Sequence, residues 1–232
     1  MKTFITAVWL LMGSLLLLSS CGTKNPGNNQ GPAGDPADTP VYASAKAAAE
    51  QAQADLLSAL DSGLGLNLGV DRATLASAVP GPEIAQAGIS FKQLLLADSM
   101  TTLRQMADDQ LNVIVPLMNE QSVATVVGLS RSEEGWQVAE LAGQATSNDL
   151  NEVLAATGAA ASAVTVYQVP NLQATVYAVN RGQEYVSYHT SYNGRSIQEG
   201  YDERGLLQQL KADAVVFQRT YGNELQKQQL VR

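Results

Sequence analysis

Histidine occurs once in the 232 residues, at position 189, so any Ser-His chemistry in this chain would pass through it. Ser187 and Ser191 lie two residues to either side and would share its face of a strand, within reach of a proton transfer to the ring. Hydroxyls placed in this way on a strand are far more often exposed polar side chains than half of a dyad, and no catalytic residue is assigned on this ground. The run Gly128-Leu129-Ser130-Arg131-Ser132 lacks the last glycine of a nucleophile elbow and falls between strands instead of between strand and helix. Gly63, Gly65 and Gly69 are spaced one residue too widely for a dinucleotide fingerprint and follow a helix. Carboxylates come as neighbours, Asp108-Asp109, Glu133-Glu134 and Asp202-Glu203, whose side chains point apart on a strand and about 100° apart on a helix. None is a ready acid/base pair. One cysteine cannot close a disulfide, and with one histidine it leaves little to hold zinc or haem. No metal and no cofactor is expected.

The remaining chemical signal is aromatic. Six of the eight tyrosines, at 167, 177, 185, 188, 192 and 201, fall within 35 residues, with His189, Asn193 and Arg195 among them. Tyrosine offers a large apolar body with a polar tip at low rotamer cost, which suits contact with a peptide or a glycan. Tyr185, Tyr188 and Tyr192 beside Arg195 are therefore the candidate ligand-binding residues; the alternative is that tyrosine, a good strand former, lines the sheet here with its hydroxyls at the rim. Strand alternation sends Tyr185 and Tyr188 to opposite faces, so a common surface would need a bulge or a strand end between them.

Helix and strand signals order the chain from Ser44 onward. Alanine, glutamine and leucine dominate ASAKAAAEQAQADLLSALD, with Ser44 as N-cap and Gly63 as stop, which predicts a helix over about 44–62. The stretch 63–96 is broken by glycine and proline and predicts only short helices near Arg72–Ala78 and Phe91–Leu96. A helical stretch over Ser99–Asp109 then leads into β-branched runs at Asn112–Met118, Ser122–Ser130 and Trp136–Leu141. A second helix starts at Ser147 and stops at Gly158. Runs at Ala163–Val169, Ala174–Asn180 and Glu184–Thr190 follow, and a last helix over Asp202–Gln226 aligns Leu206, Leu207, Leu210, Ala214 and Phe217. The fold class is α+β: two helix-plus-antiparallel-three-strand blocks between an N-terminal and a C-terminal helix, with helices on one face of the sheet. An offset of 50 residues places Ala124-Thr125-Val126 on Ala174-Thr175-Val176, Arg131 on Arg181 and Glu134 on Glu184, which reads as an internal repeat of 97–146 and 147–201. Residues 41–96 precede this domain of 97–232.

The N-terminus carries an address. Lys2, an apolar run Phe4–Leu18 too short to span a bilayer, and small residues before a cut form a secretory signal over 1–20. Leu18-Ser19-Ser20-Cys21 resembles the lipobox of bacterial lipoprotein precursors. The resemblance implies cleavage before Cys21, a diacylglyceryl group on its sulfur and an acylated amino terminus, so the one cysteine is a lipidation site and the partner is a membrane. Gly22, where aspartate would retain a lipoprotein at the inner membrane, implies the outer membrane of a diderm envelope, facing the periplasm. Residues 22–40 hold four of the eight prolines and no aliphatic side chain larger than alanine, the composition of an extended tether.

With 22 acids against 14 bases the formal charge is −8, and loss of Lys2 makes it −9, which argues against nucleic acid as a partner and against electrostatic adhesion to anionic lipid. The expected function is a membrane-anchored, non-enzymatic binding or structural module that meets an envelope protein or peptidoglycan. The competing class is an envelope hydrolase whose carboxylates meet only in the fold. A pocket with carboxylates from different strands would speak for the enzyme.

Overall fold

A computed structural model of the chain describes residues 39–62, 69–109, 112–141, 143–182 and 186–228. Signal, lipobox and most of the tether, with Cys21, lie outside them. From Thr39 onward the chain forms one compact unit. It opens with α1 (Ala45–Asp61), where Ser44 Oγ accepts the Ala47 N–H at 3.1 Å. Ala45, Ala48, Ala49 and Ala52 are fully buried, so the helix lies close against the sheet, with Leu56 completing the stripe. Gln53 Nε2 donates to the carbonyls of Leu75 and Ala78, which ties down α2 (Arg72–Ser77).

The stretch 79–88, read from sequence as irregular, supplies two strands. β1 (Val79–Pro80) and β2 (Ile84–Gly88) both pair with β3 (Asn112–Asn119). Between them in sequence come α3 (Phe91–Leu96) and α4 (Leu103–Met106). The helix expected over 99–109 shrinks to α4 because Asp98 folds its neighbours into a turn, accepting from the Met100 N–H and the Thr101 hydroxyl. Thr102 and Gln105 then form a capping box. β4 (Ser122–Arg131), β5 (Trp136–Leu141), α5 (Gln144–Thr157), β6 (Val164–Val169), β7 (Ala174–Asn180), β8 (Val186–His189) and α6 (Glu203–Gln228) follow.

The result is α+β with a mixed eight-stranded sheet in the order β5-β4-β3-β2-β6-β7-β8, β1 pairing with β3 off this path. β2 joins the two meanders: antiparallel to β3, parallel to β6. Helices cover both faces, not one. α5 packs on Ile84, Ile114, Val126, Val166 and Tyr177. The opposite face is divided, with α1 and α2 over Val115, Leu117, Val127 and Leu129, and α3, α4 and α6 over Val169, Val176 and Ala178.

α5 begins at Gln144 with Gly143 as N-cap; Ser147 sits a turn inside and its hydroxyl donates to the Gly143 carbonyl at 2.8 Å. Gly158 ends it at φ 65, the left-handed stop expected of glycine. At a bulge in β4, Asn151 of α5 takes the place of a strand partner: its amide donates to the Val123 carbonyl and accepts the Val123 N–H, both at 2.8 Å. The 50-residue offset aligns each strand of the first meander with one of the second. It nevertheless matches Val126, which faces α5, with Val176, which faces α6. A one-residue slip in strand phase reverses the faces in this way.

The outer edges of the sheet carry short guards. Tyr42 exchanges both backbone bonds with Trp136 of β5, at 2.8 and 2.9 Å, and Tyr201 does the same for Tyr188 of β8, at 2.8 and 3.2 Å.

Candidate functional site

The apolar stripe of α6 runs further than the sheet beneath it. Leu206, Leu207, Leu210 and Ala214 are buried, but the same stripe continues into Phe217 and Tyr221. Phe91 of α3 meets Phe217 edge-on at 5.5 Å, and Phe217 meets Tyr221 at 5.0 Å, both within the range of favourable ring pairs. Facing this ladder are two 3-10 turns, Pro170–Leu172 between β6 and β7 and Tyr192–Gly194 after β8. Gln173 closes the first at φ 51, and Asn193 holds φ 56 inside the second. Left-handed backbone at non-glycine residues is uncommon; among the described residues Glu120, Gln173 and Asn193 adopt it, and of these Asn193 lines one cleft while Gln173 directly follows the lining residue Leu172.

That cleft has a volume of about 390 Å³ and lies between the turns and the second half of α6. Val216 is 60% exposed and Tyr221 47%. Asn171 and Asn193 supply amides. The Tyr192 hydroxyl donates to Asp213 Oδ2 at 3.0 Å, and Gln209 Nε2 donates to the same carboxylate at 2.9 and 3.1 Å. Burial, then the Asp213 carboxylate, push the Tyr192 phenol up to about 12, so it stays a donor throughout the physiological range. Thr190 fixes the turn from beneath, accepting the Tyr192 N–H and donating to the Thr175 carbonyl. Among the described residues the lining combines aromatic rings with amides and one carboxylate, and includes no lysine or arginine.

Of the tyrosines singled out from sequence, Tyr185 lies outside the described residues. Tyr188 and Tyr192 are half-buried and pack against the core beneath α6. Burial and the Glu203 carboxylate raise the Tyr188 phenol above its usual range. Arg195 stacks over Tyr201, 4.5 Å from the ring centre, and does not join them. The expected common surface of tyrosines beside Arg195 is therefore not formed by the described members. Tyr192 alone of them borders the cleft, with residues that the tyrosine count did not include. The signal for those was present: the stripe 206, 207, 210, 214, 217 continues at 221, and an asparagine occupies each turn.

His189 and Ser187 do meet. Ser187 Oγ stands 3.0 Å from Nε2, and Nδ1 stands 3.0 Å from the Ile197 carbonyl. A carbonyl only accepts, so Nδ1 carries the hydrogen and Nε2 accepts the serine proton. Ser191 is exposed and takes no part. Ser187 and His189 are 4% and 2% exposed, with the Gly200 backbone against them, so the pair latches segment 190–201 to β8. Burial, the larger effect, and Arg181 hold the imidazole below its ordinary pKa, against an opposing pull from the Ile197 carbonyl. The unfolded chain, with His189 near 6.5, binds the proton more readily, so stability is retained above about pH 6.5 and falls as pH drops through that value. The urea midpoint should decrease between pH 7.5 and 5.5, and His189→Gln should flatten that slope. An equal slope in the variant would show that another group carries it.

Two other recesses lie among the described residues. One of about 570 Å³ lies between residues 97–102 and the start of α6, and several of its polar groups are committed to structure. Asp202 caps α6 through the Gly205 N–H, Glu203 accepts the Leu103 N–H, and Lys211 donates to the Ala97 carbonyl. The other, about 330 Å³, is a polar groove on the α5 face, where Gln86, Asn112 and Gln168 stand with Asp108 and Glu140. Asp108 lies over Gly88 and accepts its N–H at 3.0 Å; a Cβ there would come within 2.5 Å of the carboxylate. Among the described residues no three His, Cys, Asp or Glu side chains converge as a metal site. Neither a family model nor a curated protein nor a solved structure matches this chain.

Proposed function

We propose that the chain is a membrane-anchored cell-envelope lipoprotein, held by lipid on Cys21 at the periplasmic face of an outer membrane, whose folded unit is a non-enzymatic binding module. The anchor rests on Leu18-Ser19-Ser20-Cys21 and the proline-rich stretch behind it. The module rests on one observation: the cleft beside α6 gathers the exposed Tyr221 ring, the half-buried rings of Tyr192 and Phe217, two asparagines and a fixed carboxylate in one place, the composition of a ligand site. The partner is an envelope polymer, with peptidoglycan as the first to test. Wild-type protein should co-sediment with purified sacculi, and Val216→Arg, a change at an exposed helix position, should abolish this by filling the cleft. Retention of the variant at wild-type level would remove the cleft from the proposal.

A second reading, an envelope hydrolase, draws on the groove in which Asp108 and Glu140 come together from different elements. It requires soluble fragments to appear from sacculi with wild type and not with Glu140→Gln. Intact sacculi after prolonged incubation would exclude that reaction.

A further inference from the structure

Resting on the binding reading above, we infer that the α6 cleft takes a neutral glycan: pyranose rings that lay an apolar C–H face on Tyr221 and present hydroxyl or acetamido groups to Asn171, Asn193 and Asp213. Among the described residues the lining has one carboxylate and no cation, so a phosphate, a sulfate or a peptide carboxylate would find no opposite charge among them. An extended peptide is held by backbone bonds to a free strand edge, and this cleft is walled by a helix and two 3-10 turns. A helical peptide needs a continuous apolar trough, which Asn171, Asn193 and Asp213 interrupt.

What the cleft does supply matches a sugar ring, which is apolar on its faces and polar around its rim. Tyr221, held at its angle by Phe217, offers a ring face, and Val216 extends the apolar patch. The Asp213 carboxylate is oriented by Tyr192 and Gln209 before any ligand arrives, so part of the ordering cost is met in advance. The Asn193 amide stands on a backbone already in the left-handed region, on a turn pinned through Thr190.

The full chain, in detergent, should be titrated with the β-1,4-linked tetramer of N-acetylglucosamine, with the matching glucose tetramer and with a neutral tetrapeptide, following tyrosine fluorescence and heat. Saturable binding of a sugar tetramer is expected, weakened about tenfold or more by Tyr221→Ala and by Asn193→Ala, retained by Tyr221→Phe and unaltered by Tyr201→Phe. Preference for the acetamido sugar points to peptidoglycan-type strands, and equal binding of both tetramers to a wider class of polysaccharide; either supports the inference. Thermal unfolding at the wild-type temperature certifies that the variants fold. Binding of the tetrapeptide alone, or sugar binding indifferent to Tyr221→Ala, overturns it. If sacculi are retained through the cleft but neither sugar binds, the glycan inference fails and the binding module stands. If a sugar binds but sacculi are not retained, the glycan inference stands and peptidoglycan is removed as the partner.

Discussion

Leu210→Ala is expected to destabilise the folded unit by about 3 kcal/mol, within the range of about 2–5 kcal/mol for truncating a fully buried leucine. Leu210 has no exposed surface and stands in the middle of the α6 stripe, among Leu206, Leu207 and Ala214, in the core that α6 shares with Val169, Val176 and Ala178. The cost is the lost transfer free energy of the side chain plus that of a cavity which a helix fixed at both ends of the contact cannot close. Urea unfolding followed by circular dichroism measures it. Val216→Ala, one and a half turns further and largely exposed, should stay within about 0.5 kcal/mol of wild type and serves as the comparison. A loss below about 1 kcal/mol for Leu210→Ala would mean that α6 is not seated on the sheet as described.

Cys21→Ala should move the chain from the membrane fraction to the soluble one. Each buried methylene contributes about 0.8 kcal/mol, and a diacylglyceryl group with an added acyl chain far exceeds the marginal hold of a single myristoyl chain. Nothing electrostatic would replace it, since the chain without residues 1–20 carries 22 acids against 13 bases. Fractionation after metabolic labelling with a fatty acid analogue gives both readouts at once. A variant that remains in membranes, or that still labels, would refute lipidation at this residue.

How far the fold could be read from sequence depended on how local its cause was. α1 was legible because Ser44 and the alanine run act within a few turns, and the strands of both meanders because β-branched residues and turn signals mark them. β2 was missed although it joins the two halves of the sheet. Its residues, Ile-Ala-Gln-Ala-Gly, have no strand signature, and it is a strand because β3 and β6 offer their edges to it. The start of α5 was misplaced at Ser147, since a serine one turn inside a helix, bonded back to a carbonyl, looks in sequence like an N-cap. The Ser187–His189 contact follows from strand periodicity; the Ile197 carbonyl that fixes the tautomer comes from a loop, and no spacing announces it. The cleft is legible only in part, because Asn171 and Tyr221, which line it together, stand 50 positions apart in sequence.

The guarded edges of the sheet bear on aggregation. A strand with free N–H and C=O groups is a template for another chain, and molecules anchored in a common plane would meet edge to edge far more often than in dilute solution. Tyr42 already occupies the first position along β5, and Pro40, two residues before it, has no N–H to offer. Tyr201 pairs with Tyr188, the third residue of β8. If the protein is held in one plane as proposed, these bridges leave each edge strand with fewer free backbone groups for a neighbour's sheet, and their side chains need take no part in that protection.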